Sequence, residues 1–405
     1  MNKRTYVTHV LVLGLLTAIG PFSIDMYLPG FEDIAASLHT TTAMVKLSLS
    51  SYFIGISLGQ LLYGPLLDRY GRKKPLYAGL ALYIVATFVC MQARDIHTLI
   101  ALRFIQALGS CAAQVAAMAM VRDIFGAEGS AKVLSLLLLV IGASPMIAPT
   151  AGGYIVTIWN WRIIFLVLLI VSVVITLLTI FLLPESYPPD KHFSLKPLPI
   201  IRNFLGVMRV RQFVVYVFIE AFAFAGLFAY VSGSPAVFMG YFHLDKRTYG
   251  WVFAFLSVAF IVLGQLNTLL LRKYKSEQIV KVALMGQLVV AALFLAVTLA
   301  GWLGLGYTIL FLFLFLMFLG FTYPNAAALS LAPFSRNAGT ASALLGFFQL
   351  GVGALASVAV SVFSNGTALP MVAVIATSSV LAVAVLVIGQ GSLATKPSGK
   401  DFSTR

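Results

Sequence analysis

"GPLLDRYGRKKPL" fills residues 64–76, and its reading decides what kind of protein this is. It sets one acid, Asp68, among four bases, Arg69, Arg72, Lys73 and Lys74, between the glycines Gly64 and Gly71 and a following proline. On either side lie residues 43–63 and 75–93, which are almost wholly apolar. A helix needs about 20 apolar residues to cross roughly 30 Å of hydrocarbon. The stretch therefore reads as a polar turn between two membrane-spanning helices, tightened by Gly64 and Gly71. A basic anchor at a membrane surface explains the four bases, but neither the acid nor the glycine spacing.

The whole chain follows the same pattern. It has 405 residues, 60% of them hydrophobic and 10% charged, with a mean hydropathy of +0.98. A soluble domain cannot hide that much apolar surface. Apolar runs recur at 6–28, 43–63, 75–93, 97–121, 133–157, 162–183, 212–235, 249–271, 280–300, 306–332, 339–363 and 369–391. Lipid offers no partner to an open backbone, so these are helices, and barrel strands would be shorter and would alternate. Twelve spans place both termini on one side. Of the 27 Lys and Arg, 21 fall in segments on the side of the amino terminus, five on the other side, and Arg103 lies within a helix. That bias puts the termini in the cytoplasm. It also accounts for the net charge of +14 without nucleic acid as a partner. "MNKR" reads as a cytoplasmic flank rather than the start of a cleaved leader. Cys90 and Cys111 sit inside apolar runs as packing residues, with no metal spacing and no disulfide framework. The five histidines fall near ends or loops and read as interfacial or solvated.

The longest connection, "PESYPPDKHFSLKPLP", begins at Pro184 at the middle of the chain. It divides residues 1–186, a first six-helix bundle, from residues 212–392, a second one; residues 187–211 form a cytoplasmic loop and residues 393–405 a tail. A short echo, "GQLLYGPLLDRY" from Gly59 and "GQLNTLLLRKY" from Gly264, supports two related halves. Parallel halves with a site between them are a transporter design.

Polar residues inside such spans are costly and mark function or pairing. "FSIDMYLPGF" at residues 22–31 places Asp25 in the outer third of the first span, facing either a cavity or the outer interface, beside Tyr27 as a cavity candidate. Arg103, Gln106, Ser110 and Gln114 are spaced for one helical face. That face lines the interior, unless Arg103 snorkels to the outer surface. In the fifth span Pro145, Pro149, Gly152 and Gly153 kink and narrow the helix, for packing or for gating. Glu220 lies in the seventh span and either carries a proton or pairs with a base near the inner mouth. Phe224 and Phe228 of that helix, with Gln349 of the eleventh, are further cavity candidates.

The residue 64–76 stretch closely resembles the signature loop of the major facilitator superfamily. That resemblance implies two pseudo-symmetric six-helix bundles around a central cavity, and a gating role for Gly64, Asp68, Arg69, Gly71 and Arg72. Arg103, Gln106 and Gly109 resemble a fourth-helix signature that the family links to proton coupling. "IGASPMIAPTAGG" at residues 141–153 resembles the antiporter signature of the fifth helix, with Ala148 in place of a glycine. "DMYLP", "MVRDIF", "WNWRIIF", "PES" and "FAYVSGSP" together resemble the bicyclomycin and chloramphenicol resistance branch of drug–proton antiporters. The resemblance implies a bacterial inner-membrane protein that works as a monomer.

The resulting expectation is a proton-coupled exporter of small amphipathic compounds, with Asp25, Arg103 and Glu220 as coupling residues. A dedicated metabolite exporter and a nutrient importer of the same fold are the alternatives. No phosphate-binding loop occurs, so the proton gradient rather than ATP is the expected energy source, with no cofactor, metal or enzymatic activity.

Overall fold

The structure is a computed structural model that describes residues 3–190, 197–334 and 338–393. The expected tail, 393–405, lies outside these residues beyond its first position, as do 191–196 of the central connection. Among the described residues there is helix and no strand. The first bundle comprises α1 (Lys3–Asp25), a short α2 (Phe31–Ser37), α3 (Thr42–Tyr70), α4 (Lys73–Met91), α5 (Ile96–Ile158) and α6 (Arg162–Leu182). After α7 (Pro197–Met208) come α8 (Arg211–Pro235), α9 (Lys246–Gln265), the single turn α10 (Asn267–Leu270), α11 (Ser276–Leu299), α12 (Leu305–Leu331), α13 (Ala338–Val362) and α14 (Leu369–Leu393). Eleven helical segments are long and apolar enough to cross a membrane; α9 stands in the place of the remaining expected span. This is a multi-pass membrane protein.

The expected fourth and fifth spans are the two arms of α5, Ile96–Gly126 and Val140–Ile158. The run breaks helical geometry only at Gly126, whose φ of 65° suits a residue without a side chain. Residues 187–211 are not a plain loop, because α7 takes up their second half. Gly64 is not in a turn either: α3 continues through it to Tyr70, and Gly71 alone, at φ 82°, makes the turn.

Helices α1, α3, α4, α5 and α6 pack on one another, and α8, α9, α11, α12, α13 and α14 form the second bundle. Lipid-facing stripes remain exposed, as in Ile170, Val174, Leu177 and Phe181 along one face of α6. The opposite face of α6 buries Phe165, Leu168, Ser172 and Ile175. Two seams join the bundles, α3 against α13 and the second arm of α5 against α9.

Both seams are closed on the side away from the amino terminus, here the far side. Along the first, Lys46 Nζ donates to Ser364 Oγ at 2.9 Å, Ser50 and Ser357 share a hydroxyl hydrogen bond of 2.6 Å, and Ser57 Oγ donates to the Phe347 carbonyl at 2.9 Å. Lys46, one of the five bases on this side, is buried. Along the second, Lys246 pairs with Asp33 at 2.6 Å. There a Cβ on Gly153 would stand 2.6 Å from the Lys246 carbonyl oxygen, and within the first bundle one on Gly152 would stand 2.2 Å from that of Met26. Asp95 and Asp245 cap the far-side starts of the first arm of α5 and of α9. Hydrogen bonds from Thr98 and Thr248 hold these exposed carboxyls below the usual carboxylate range.

Gly152→Val puts a branched side chain against backbone that cannot move aside like a flexible side chain. Overpacking of this kind costs about 1–3 kcal/mol. The variant is expected to melt several degrees lower in detergent. A Gly152→Val protein with the parental melting curve would contradict the close approach of α5 to the end of α1.

Candidate functional site: a central cavity and the charges around it

A cavity of about 1020 Å³ opens between the bundles toward the side of the amino terminus. Its mouth carries Asp68, Arg72, Arg122 and Asp123. Deeper in, the wall is aromatic and apolar: Phe53, Phe224, Phe228, Tyr230, Phe253, Phe260 and Tyr323, with the amides Gln60, Gln114 and Gln349. At the closed end the wall carries one carboxylate, Asp25.

Asp25 is there because α1 stops. The chain turns at Met26 and Tyr27, makes a single 3-10 turn at Leu28–Gly30 and restarts as α2. "DMYLPGF" is therefore a buried break rather than the last turn of a span. Asp25 is 5% exposed and lies within electrostatic reach of Tyr230 and Tyr249 from the other bundle. No hydrogen bond or ion pair reaches its carboxylate among the described residues.

Arg103 explains how the break is held. Its side chain is fully buried, so it does not snorkel. A helix leaves its last carbonyls without partners. Arg103 Nη2 donates to one of these, the Ser23 carbonyl, at 2.9 Å, while Nη1 donates to Gln106 Oε1 at 2.6 Å. The guanidinium also lies over the rings of Tyr52 and Tyr27, 4.1 and 4.6 Å from their centroids. Such contacts contribute more when desolvated. No carboxylate pairs with Arg103 among the described residues; rings, an amide and a carbonyl carry its charge.

That arrangement uses up most of the expected cavity face. Gln106 Nε2 donates to Thr87 at 2.8 Å, the Tyr52 hydroxyl donates to Ser110 at 2.8 Å, and the Tyr27 hydroxyl meets Ser48 at 2.8 Å. Tyr27, Gln106 and Ser110 therefore lie inside the first bundle and do not line the cavity. Gln114, one turn further along, does. Phe224, Phe228 and Gln349 also line it, and Gln349 is hydrogen-bonded to Tyr323. Glu220 does not reach a base at the mouth. It is buried behind the cavity wall near Tyr323, and both its oxygens lack partners. His9, expected at an interface, is buried in α1.

Around the mouth, motifs far apart in sequence converge on Arg72. Its Nη1 donates to Asp68 at 2.8 Å and its Nε to Asp123 at 2.8 Å, and its guanidinium covers the Tyr187 ring at 4.3 Å. Glu185 accepts from the backbone N–H groups of Arg72 and Lys73, at 2.8 and 3.1 Å, and so caps α4. A negative group at a helix start is favourable. Ser186 Oγ donates to Asp123 at 3.0 Å. Arg69 turns away to the Asp190 carbonyl at 3.2 Å. Asp123, Glu185 and Tyr187 were not legible as partners of Arg72, nor Ser186 as a partner of Asp123, although "MVRDIF" and "PES" flag acids beside apolar runs. Of the kinked arm, Pro145 lines the cavity, while Gly152 and Gly153 belong to the closed far side. The deep aromatics Phe253 and Phe260 carried no signal among 31 phenylalanines.

Two six-helix bundles enclosing a one-sided cavity, with charges clustered at a turn between helices, define a membrane transporter rather than an enzyme. The chain belongs to the major facilitator superfamily, whose sequence model matches residues 13–358. It is 31% identical over 379 residues to a bicyclomycin resistance protein homolog of Haemophilus influenzae, covering 91% of this chain and 92% of that one. It is also 29% identical over 337 residues to the multidrug resistance protein MdtL of Escherichia coli O81, covering 83% of each chain. These relatives agree with the drug-transporter branch that the sequence resembles. Among solved structures, the nucleoside transporter NupG superposes with a TM-score of 0.75 at 12% identity, covering 95% of this chain and 99% of that one. The D-xylose–proton symporter follows at 0.72 and 13%, covering 94% and 96%. At such identity these likenesses establish the fold alone.

Arg103→Ala leaves the Ser23 carbonyl and Gln106 Oε1 without a donor, at about 1–3 kcal/mol for each stranded group. It is expected to abolish transport in a reconstituted flux assay, whereas Arg103→Lys, which keeps the charge without the fork, retains part of it. Full activity of the alanine variant would show that α1 ends at Asp25 without this support. Asp68→Asn removes one of the two charged acceptors on Arg72. Its turnover is expected to fall about tenfold, the worth of roughly 1.4 kcal/mol, with substrate affinity unchanged. Equal losses in turnover and affinity would remove Asp68 from gating.

Proposed function

We propose that this chain exports small amphipathic compounds from the bacterial cytoplasm across the inner membrane, in exchange for protons. The observation that carries this reading is the position of Asp25, alone at the closed end of an aromatic cavity where the two bundles meet. A carboxyl in hydrocarbon surroundings is costly unless it is paired, hydrated or neutralised. Alternating access changes which side hydrates it. Such a site takes up a proton from outside and gives it up inside when a substrate enters.

The basic residues at the cavity mouth support an inward-open conformation, since the cytoplasmic side attracts Lys and Arg. The contacts of the far side then form the outer closure. The aromatic wall suits flat or greasy molecules and offers few fixed polar groups, in keeping with a range of substrates rather than one. The drug-resistance names of the relatives support outward transport. The energy suffices: one proton moving through about 100 mV releases roughly 2.3 kcal/mol. At about 1.4 kcal/mol per factor of ten, one-for-one exchange of a neutral compound sustains a gradient of order fiftyfold. Glu220 is a second carboxyl available to the same cycle, further from the substrate path. A cavity and seams built from residues of a single chain support one copy as the working unit.

Asp25→Asn is nearly isosteric and is expected to keep the fold while losing proton-driven efflux. In everted vesicles, substrate addition should release protons with the parent and not with the variant. Cells carrying the variant should accumulate dye like cells without the protein. Concentrative efflux by Asp25→Asn with unchanged pH dependence would shift the coupling to Glu220 or exclude protons. Loss of one secreted metabolite on deletion, with drug accumulation unaffected, would instead favour a dedicated exporter.

A further inference from the structure

The helix α7, Pro197–Met208, lies between the two bundles in sequence and at one end of them in space. Its Phe204, Val207 and Met208 pack into a cluster with Phe213, Leu331 and Leu344, the near-side ends of α8, α12 and α13. Ile200, Asn203 and Phe204 also line the cavity mouth. The opposite face is unpartnered and apolar: Leu198 is 77% exposed, Ile201 50% and Leu205 55%. Positions 198, 201 and 205 share one helical face. Arg202, Arg209 and Arg211 are exposed around it, and none meets a carboxylate among the described residues. Between Lys191 and Ile219 the sequence contains no acid at all.

An apolar stripe flanked by arginines, with no acid in its own stretch of sequence, fits a particular surface. It is the pattern of a helix lying in the plane of a membrane, its apolar face among acyl chains and its cations on lipid phosphates. The connections of α7 put it at that depth. It packs on spanning helices where they end, and two residues separate it from the start of α8, which crosses the bilayer.

We propose that α7 docks on anionic phospholipid of the near-side leaflet, and that this lipid surface holds one edge of the cavity mouth. The two faces of α7 then have separate tasks. Leu198, Ile201 and Leu205 enter the leaflet, and Arg202 and Arg209 bind its headgroups. Ile200, Asn203 and Phe204 border the opening through which a substrate enters. Anionic lipid would thereby act on transport through the position of α7, without touching the closed end of the cavity or Asp25. The inference does not depend on proton coupling.

The test uses the full chain with Ile201→Cys carrying a polarity-sensitive fluorophore. Cys90 and Cys111 are buried, which confines labelling to the new site. The protein is reconstituted into vesicles of phosphatidylcholine alone, or of phosphatidylcholine with phosphatidylglycerol, each containing a nitroxide-labelled lipid as quencher. The expected result is a blue-shifted emission, with quenching by the nitroxide lipid that rises several-fold with phosphatidylglycerol and falls again at high salt. Each arginine is worth about a fivefold factor at an anionic surface. Adding Arg202→Gln and Arg209→Gln should therefore remove the phosphatidylglycerol dependence while the melting curve stays parental. A probe quenched by aqueous iodide equally in both vesicles, or one indifferent to phosphatidylglycerol, overturns the proposal. Shielding that follows the protein-to-lipid ratio instead would assign the face to a second copy of the chain, and overturns it as well.

Discussion

Hydrocarbon gives a polar group nothing to bond to, and this constraint shapes every internal charge of the molecule. Arg103 shows it most clearly. A cation in mid-bundle needs oxygen and ring partners. The chain supplies Gln106 from the same helix, the Ser23 carbonyl from α1, and the faces of Tyr27 and Tyr52. Three helices are thereby fixed relative to one another around one side chain. Because the carbonyl it binds belongs to the last turn of α1, the same contact fixes where α1 stops, and so where Asp25 enters the cavity. Arg103 is thus a positioning residue for the one acid at the closed end.

The second consequence concerns how the bundles meet. The polar contacts of the far-side seams are two serine hydroxyl contacts, one lysine–serine contact and one partly exposed ion pair, with the backbone approach at Gly153 beside them. Individually such contacts are modest: a net hydrogen bond is worth about 1 kcal/mol and an exposed ion pair less. Opening such a seam also parts the apolar contacts that run across it, Phe53 against Phe228 among them. The near side, by contrast, spends its charges within one bundle. Arg72 holds Asp68, Asp123 and the Tyr187 ring, all from residues 1–190. In the open-mouthed conformation this cluster braces the first bundle as a unit, which suits a rigid body rocking against its partner.

Much of this was legible in the sequence, for reasons that can be named. Span number follows from the length a bilayer demands, and the side on which charge collects follows from Lys and Arg. The turn at Gly71 followed from its spacing, though Gly64 was misassigned, since nothing local distinguishes a helical glycine from a turning one. Spacing placed Arg103, Gln106, Ser110 and Gln114 on one face, but a face has no address. Arg103 turned most of it toward its own bundle, and only Gln114 reached the cavity. The partners of Arg72 were out of reach because Asp123 and Glu185 are brought beside it only by the packing of α4, α5 and α6. A break at Met26 and Tyr27 is likewise invisible to hydropathy, since those residues are as apolar as a span requires.

Asp25 and Glu220 show how far the same residue type can differ in consequence. Both are acids within apolar helices, and composition alone ranks them together. Asp25 sits at a helix end, on the wall of an open cavity, facing tyrosines of the opposite bundle. Its surroundings change whenever the bundles rock. Glu220 lies in the middle of α8 behind Tyr323, enclosed by its own bundle, and a rigid-body motion leaves its neighbours in place. A group can couple a gradient to a conformational cycle only if the two end states treat it differently. In the proposed exchange that criterion favours the interface acid as the coupling residue, and the enclosed one would need a local rearrangement around Tyr323 before it could take part.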